Sequence, residues 1–152
     1  MFEYNIVIFP IHLSVHWTVV ILDIVKKELL YLDSLSPDTQ NEKVVLQIRE
    51  FIKHEAKRWR VFFSDQIPCK TGHTLKDFPT QSNGWDCGVF VCLYSLYQML
   101  GIPYNFDQSH IPLARTWIAK VLIELPVKET STDENQAVSM DDDVIEIDPG
   151  ES

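Results

Sequence analysis

The chain is poor in the features that would place it in several large protein classes. Only three of its 152 residues are cysteines, Cys69, Cys87 and Cys92. An odd number in a chain of this length, with no secretion signal, favours free thiols in a reducing compartment, cytosol or nucleus, over a disulfide framework. No basic segment opens the sequence, and Pro10 and His12 interrupt the apolar run of residues 6–9, so a signal peptide is not expected. No apolar run approaches the roughly 18 residues of a membrane span, so a membrane partner is not expected either. A basic stripe is also missing. Residues 126–152 carry nine acids against the single base Lys128, while the other 125 residues hold 12 bases and 13 acids. The net charge of −9 thus belongs to the tail, and nucleic acid is not an expected partner.

What is present suits one folded domain with a polar extension. Apolar residues make up 45% and aromatics 11%, with four Trp, enough for a core. Residues 5–9, 17–22 and 28–32 are short, β-branched-rich apolar runs that read as strands. The second is apolar on both faces and belongs inside a sheet covered on both sides. Between residues 35 and 61, Val44, Val45, Ile48, Phe51 and Ile52 fall on one helical face with Lys43, Arg49, Lys53 and Lys57 opposite, an amphipathic helix. Residues 61–63 read as a further short strand, followed by a polar loop to Thr80. Residues 88–100 are almost wholly apolar and closed by Gly101 and Pro103, a buried helix with a C-cap glycine. Pro112 opens a last helix over residues 111–125, and Trp59 and Trp117 fall in apolar helical patterns that predict core positions. Residues 1–125 therefore form the body, and 126–152 are expected to be a disordered acidic tail.

The run Gln81-Ser82-Asn83-Gly84-Trp85-Asp86-Cys87-Gly88 delivers a cysteine to the start of the buried helix. Unpaired backbone N–H groups and the helix dipole favour a thiolate there, and glycines on both sides let a scissile backbone approach. A thiolate nucleophile needs a base, and the base needs an orienting group. The first hairpin supplies both: a turn centred between Ile24 and Val25 makes His16 and Asp33 cross-strand neighbours. Each piece alone has a plainer reading, as an inert core cysteine, a surface histidine and a turn aspartate. Their joint occurrence favours catalysis. Neither Cys69 nor Cys92 has a partner at metal-ligand spacing, and His12, His54, His73 and His110 show none among themselves, so no metal and no cofactor are expected.

With His16-Trp17 behind Pro10-Ile11-His12-Leu13, with Tyr31-Leu32-Asp33-Ser34, and with residues 81–88, the chain resembles the SUMO/sentrin-specific family of ubiquitin-like-modifier cysteine proteases. The resemblance runs through most of residues 5–124 and extends to Pro103-Tyr104-Asn105-Phe106 and Gln108-Ser109-His110. It implies an α/β (α+β) papain-like cysteine-peptidase fold, a mixed sheet flanked by helices. It implies Cys87 as nucleophile, His16 as general base and acid, Asp33 as the group fixing the imidazole tautomer, and Gln81 as an oxyanion donor beside the Cys87 N–H. Trp17 would line a narrow tunnel for a modifier's Gly-Gly tail, with Trp85 and Gly88 beside it, and Trp85 stands where related enzymes often carry a small or polar residue. Only fifteen residues precede His16, whereas the family has a substantial stretch there, so the chain reads as the C-terminal, triad-bearing part of a catalytic domain.

In the tail, Val144, Ile145 and Ile147 within Asp141–Asp148 resemble a SUMO-interacting motif, which adds a strand to an exposed sheet edge while its carboxylates meet basic residues. The expected function is a deSUMOylating isopeptidase or endopeptidase that cleaves after a Gly-Gly terminus, monomeric and nuclear, with a SUMO-like modifier and its conjugates as partners. Two other readings stand beside it: a catalytically impaired module that binds the modifier, and a protein acetyltransferase with the same order of site residues.

Overall fold

The computed structural model describes residues 1–64 and 66–125. The tail and its motif residues Val144, Ile145 and Ile147 lie outside them. A mixed four-stranded sheet runs β1 (Ile6–Leu13), β2 (His16–Asp23), β3 (Glu28–Leu32) and β4 (Cys69–Thr71) in that spatial order. The first three strands are antiparallel and β4 runs parallel to β3. Helices α1 (Glu42–Arg58), α2 (Cys87–Leu100) and α3 (Ile111–Glu124) complete it.

The both-faces pattern of the second strand is realised in full. Val19, Val20, Ile21 and Leu22 are completely buried. Val19 and Ile21, with Leu30 and Leu32, pack against Val89, Phe90, Leu93 and Tyr94 of α2. Val20 and Leu22, with Leu29 and Tyr31, pack against Val44, Val45 and Ile52 of α1. One helix on each face explains why these strands read as continuous apolar runs.

β1 extends four residues past the expected end at Phe9, straight through Pro10. Among the described residues β1 pairs only with β2, and an edge strand is where a ring nitrogen without a hydrogen is tolerated. Residues 61–63 do not form a strand. Arg60 turns the chain through a left-handed conformation (φ 55°), and the Val61 amide bonds back to the Ala56 carbonyl. The fourth strand lies instead in the expected polar loop, where pairing with β3 and the Lys70–Glu28 ion pair (2.6 Å) outweigh a weak three-residue pattern. Nor do Trp59 and Trp117 take the core positions expected of them. Both are half exposed: Trp59 caps the end of α1 and donates its indole N–H to Glu55, and α3 buries only its Ile111 and Ala114 side.

Candidate active site

The observed hairpin register pairs Ile21 with Leu30 and Val19 with Leu32, so its centre lies between Val25 and Lys26, one residue later than expected. Pairing is thereby displaced by two residues. An even displacement keeps both side chains on the same face, so His16 and Asp33 become diagonal instead of directly opposed neighbours. They still meet: His16 Nε2 and Asp33 Oδ1 are 2.8 Å apart, with both side chains mostly buried. The same Asp33 oxygen accepts the amides of Leu35 (2.8 Å) and Ser36 (3.1 Å). Turn chemistry and imidazole orientation are thus one arrangement, because the turn holds the carboxylate that holds the ring. With Nε2–H given to Asp33, Nδ1 is the nitrogen left to act as a base.

The residue after Asp33 reaches to the cysteine turn. The Gln81 amide donates to the Ser34 carbonyl (3.0 Å), and the Ser34 hydroxyl donates to Gln81 Oε1 (2.5 Å), both side chains being buried. Gln81 Nε2 then donates one hydrogen to the Asn83 carbonyl. This pins the loop that leads into α2 against the end of β3, six residues before Cys87. Cys87 is the first residue of α2 and is 6% exposed.

Asp86, just before the nucleophile candidate, occupies the usual capping position but does not cap α2. Its buried carboxylate accepts Asn83 Nδ2 (2.6 Å), Gln108 Nε2 (2.7 Å) and the Arg115 guanidinium. Burial would push this carboxyl up; the hydrogen bonds from Asn83, Arg115 and Gln108 outweigh that and hold it below the ordinary carboxylate range. Ser34, Asn83, Asp86, Gln108 and Arg115 therefore form a support: the first four stand in the sequence motifs, but their bonding to one another and the part of Arg115 were not legible there. Arg115 lies 29 residues from Asp86, and no local pattern connects them.

Trp17 is 41% exposed and its ring lies against that of His12, centroids 4.6 Å apart. Trp85 is 74% exposed. A methyl group placed on Gly88 would meet nothing within 4 Å, so there is open room beside Cys87. Cys69 is half buried and burial pushes its thiol up, which marks it as an unreactive sulfur. Among the described residues, no group of three or more His, Cys, Asp or Glu side chains is placed to hold a metal ion.

The model of the Ulp1 protease family, C-terminal catalytic domain, matches residues 1–130. The chain belongs to the Ulp1 protease family. Similar relatives include sentrin-specific protease 2 of Homo sapiens, 35% identical over 117 residues, and ubiquitin-like-specific protease 1 of Saccharomyces cerevisiae, 32% identical over 117 residues. These alignments cover 76% and 75% of this chain but only 19% and 18% of the relatives. Among solved structures, the C-terminal Ulp1 protease domain in complex with Smt3, the yeast ortholog of SUMO, superposes with a TM-score of 0.68 at 30% identity. That superposition covers 80% of this chain and 53% of the Ulp1 domain. A Chaetomium thermophilum Ulp1-like SUMO protease catalytic domain gives a TM-score of 0.68 at 27% identity. The mixed α/β architecture is thus that of Ulp1 catalytic domains, of which the chain spans about half. His16, Asp33 and Cys87 all fall within the family match.

Proposed function

We propose that this Ulp1-family chain is a cysteine protease domain that cleaves after the terminal Gly-Gly of a SUMO-like modifier, either at an isopeptide bond to lysine or at a precursor extension. The observation that supports the reading is the His16 Nε2–Asp33 Oδ1 bond, with the turn that leads to Cys87 tied through Gln81 to the neighbouring Ser34. Family membership and the Smt3 complex of the similar Ulp1 domain support the choice of modifier.

In the reaction, His16 Nδ1 takes the proton of Cys87, and the thiolate sulfur attacks the glycine carbonyl carbon. The oxyanion is held by the Cys87 amide and by the second hydrogen of Gln81 Nε2. Asp86 contributes here by turning its charge toward Arg115, which keeps a carboxylate off the amides at the tip of α2. The imidazolium gives its proton to the leaving amine as the C–N bond breaks, leaving a thioester. Water deprotonated by His16 then attacks the thioester, releasing the modifier's carboxylate and the Cys87 sulfur. Trp17 narrows the approach and so favours a tail without side chains by steric exclusion, while Gly88 leaves the tail's backbone room to come close to Cys87.

A vinyl sulfone built on the modifier's C-terminal tail tests this. Covalent labelling of the chain is expected, and it is lost in Cys87→Ala. Binding without labelling would overturn the protease in favour of a binding module, and protein acetylation that requires acetyl-coenzyme A would overturn it in favour of an acetyltransferase.

A further inference from the structure

The body and the tail are opposites in charge at one place. Residues 49–60, the last turns of α1 and its cap, carry five bases, Arg49, Lys53, Lys57, Arg58 and Arg60, against Glu50 and Glu55. Glu55 is engaged by Arg58 (3.5 Å), and Arg49 donates to the Ile67 carbonyl. Lys53 and Lys57 have no ion-pair partner among the described residues, and they line a cavity of about 430 Å³ whose apolar wall is Val61, Phe62 and Phe63.

Much of that wall is open to solvent. Phe62 is 88% exposed and Val61 40%, adjoining Trp59 at 50%. The segment has the composition of a strand yet no ladder partner among the described residues. A cationic rim beside an exposed aromatic, β-prone segment calls for an acidic peptide with apolar side chains in its middle.

Such a peptide is present in the chain itself. Asp141-Asp142-Asp143-Val144-Ile145-Glu146-Ile147-Asp148 places three β-prone apolar residues among five carboxylates, and the tail that contains it has eight more acids than bases. Fifteen residues, 126–140, separate the end of the body from Asp141. They can span at most about 50 Å, against a radius of gyration of about 14 Å for a body of this length. The cavity between α2 and α3, lined by Leu93, Tyr97, Leu113 and Trp117, is equally apolar but has only His110 to answer a carboxylate.

We propose that the basic, aromatic end of α1 is the docking seat of this chain's own acidic segment 141–148. Val144, Ile145 and Ile147 cover Phe62 and Val61, and the carboxylates meet Lys53 and Lys57. A modifier that uses the same tail side chains competes with the seat, but the docking itself rests on neither catalysis nor modifier binding.

Zero-length carbodiimide coupling of the full 152-residue chain, with peptide mapping of the monomer fraction, tests the proposal. Coupling of Lys53 or Lys57 to the acids of 141–148 is expected. Reversing Lys53→Glu and Lys57→Glu together removes the coupling amines along with the charge, so coupling of this segment at the seat should be lost and should not move to other lysines of the body. Adding Asp141→Lys and Asp142→Lys to that background should restore coupling with reversed chemistry. Phe62→Ser, which leaves every charge in place, should lower it as well. Coupling spread evenly over Lys70, Lys76 and Lys120 would overturn the proposal, as would coupling found only in a dimer fraction or coupling indifferent to these variants. Unchanged far-UV circular dichroism separates loss of the seat from loss of the fold.

Discussion

At the scale of single residues, the His16–Asp33 bond determines what the imidazole can do. Asp33→Asn keeps the size of the side chain but replaces an acceptor with a group able to present N–H to the ring, which favours the wrong tautomer. The expected loss in kcat/KM on a modifier precursor is about 10³- to 10⁴-fold, with little change in KM. Gln81 is held by two bonds to Ser34 before it can serve an oxyanion. Gln81→Ala should lower kcat by about 10²-fold, and Ser34→Ala should reproduce part of that loss without touching substrate. Both are read by single-turnover cleavage. Equal activity of Asp33→Asn and parent would mean that the observed bond does not orient the base. Cys87, His16 and Asp33 were all legible in the sequence because each sits at the boundary of an apolar run. Ser34 and Asp86 were not singled out, since their importance lies in partners 47 and 29 residues away.

Between elements, Asp86 joins the cysteine turn to α3 through Arg115 and to the turn at Gln108. Removing this buried acceptor of charged hydrogen bonds, as in Asp86→Ala, should cost about 2–3 kcal/mol. Because the folded carboxyl titrates below its unfolded value of about 3.9, its contribution is full above that value and is lost as pH falls through the lower folded one. The melting temperatures of parent and Asp86→Asn should therefore differ most near neutral pH and converge in strong acid, by scanning calorimetry. A difference that stays constant with pH would exclude ionised Asp86 as the source. The aromatic layer under α2 makes a second demand. A methyl on Gly72 would stand 2.4 Å from the Phe78 ring, which stacks on Tyr94 at 4.7 Å. Gly72→Ala should thus cost about 1–3 kcal/mol. Tyr94 also donates to the Pro79 carbonyl (2.6 Å), so a shift in this layer passes to the segment that carries Gln81, and cleavage should weaken along with stability.

Taken as a whole, the molecule has one flank of its sheet governed by a single proline. Among the described residues β1 has an unpaired outer edge, apolar over much of its length, and Pro10 interrupts the row of donors there. Pro10→Val completes that row. Association with rising protein concentration should increase, measured by light scattering on size-exclusion peaks, while the fold stays intact because valine suits a strand. Unchanged association would show that the proline does not guard this edge.

Periodicity alone determined the three strands, the two-faced burial of β2, the helix behind Cys87 and its glycine cap, since these follow from which residues avoid water along a short stretch of chain. Chemistry at the boundaries of those runs then named the candidate nucleophile, base and orienting acid. Tertiary structure decided the rest. A two-residue change in hairpin register set the diagonal approach of His16 to Asp33, and pairing with β3 chose Cys69–Thr71 over residues 61–63 as the fourth strand. The extent of each helix's contact left Trp59 and Trp117 half in water. The physical reason is the same in each case: local pattern states what a segment would bury, but the surface available to bury it belongs to distant segments.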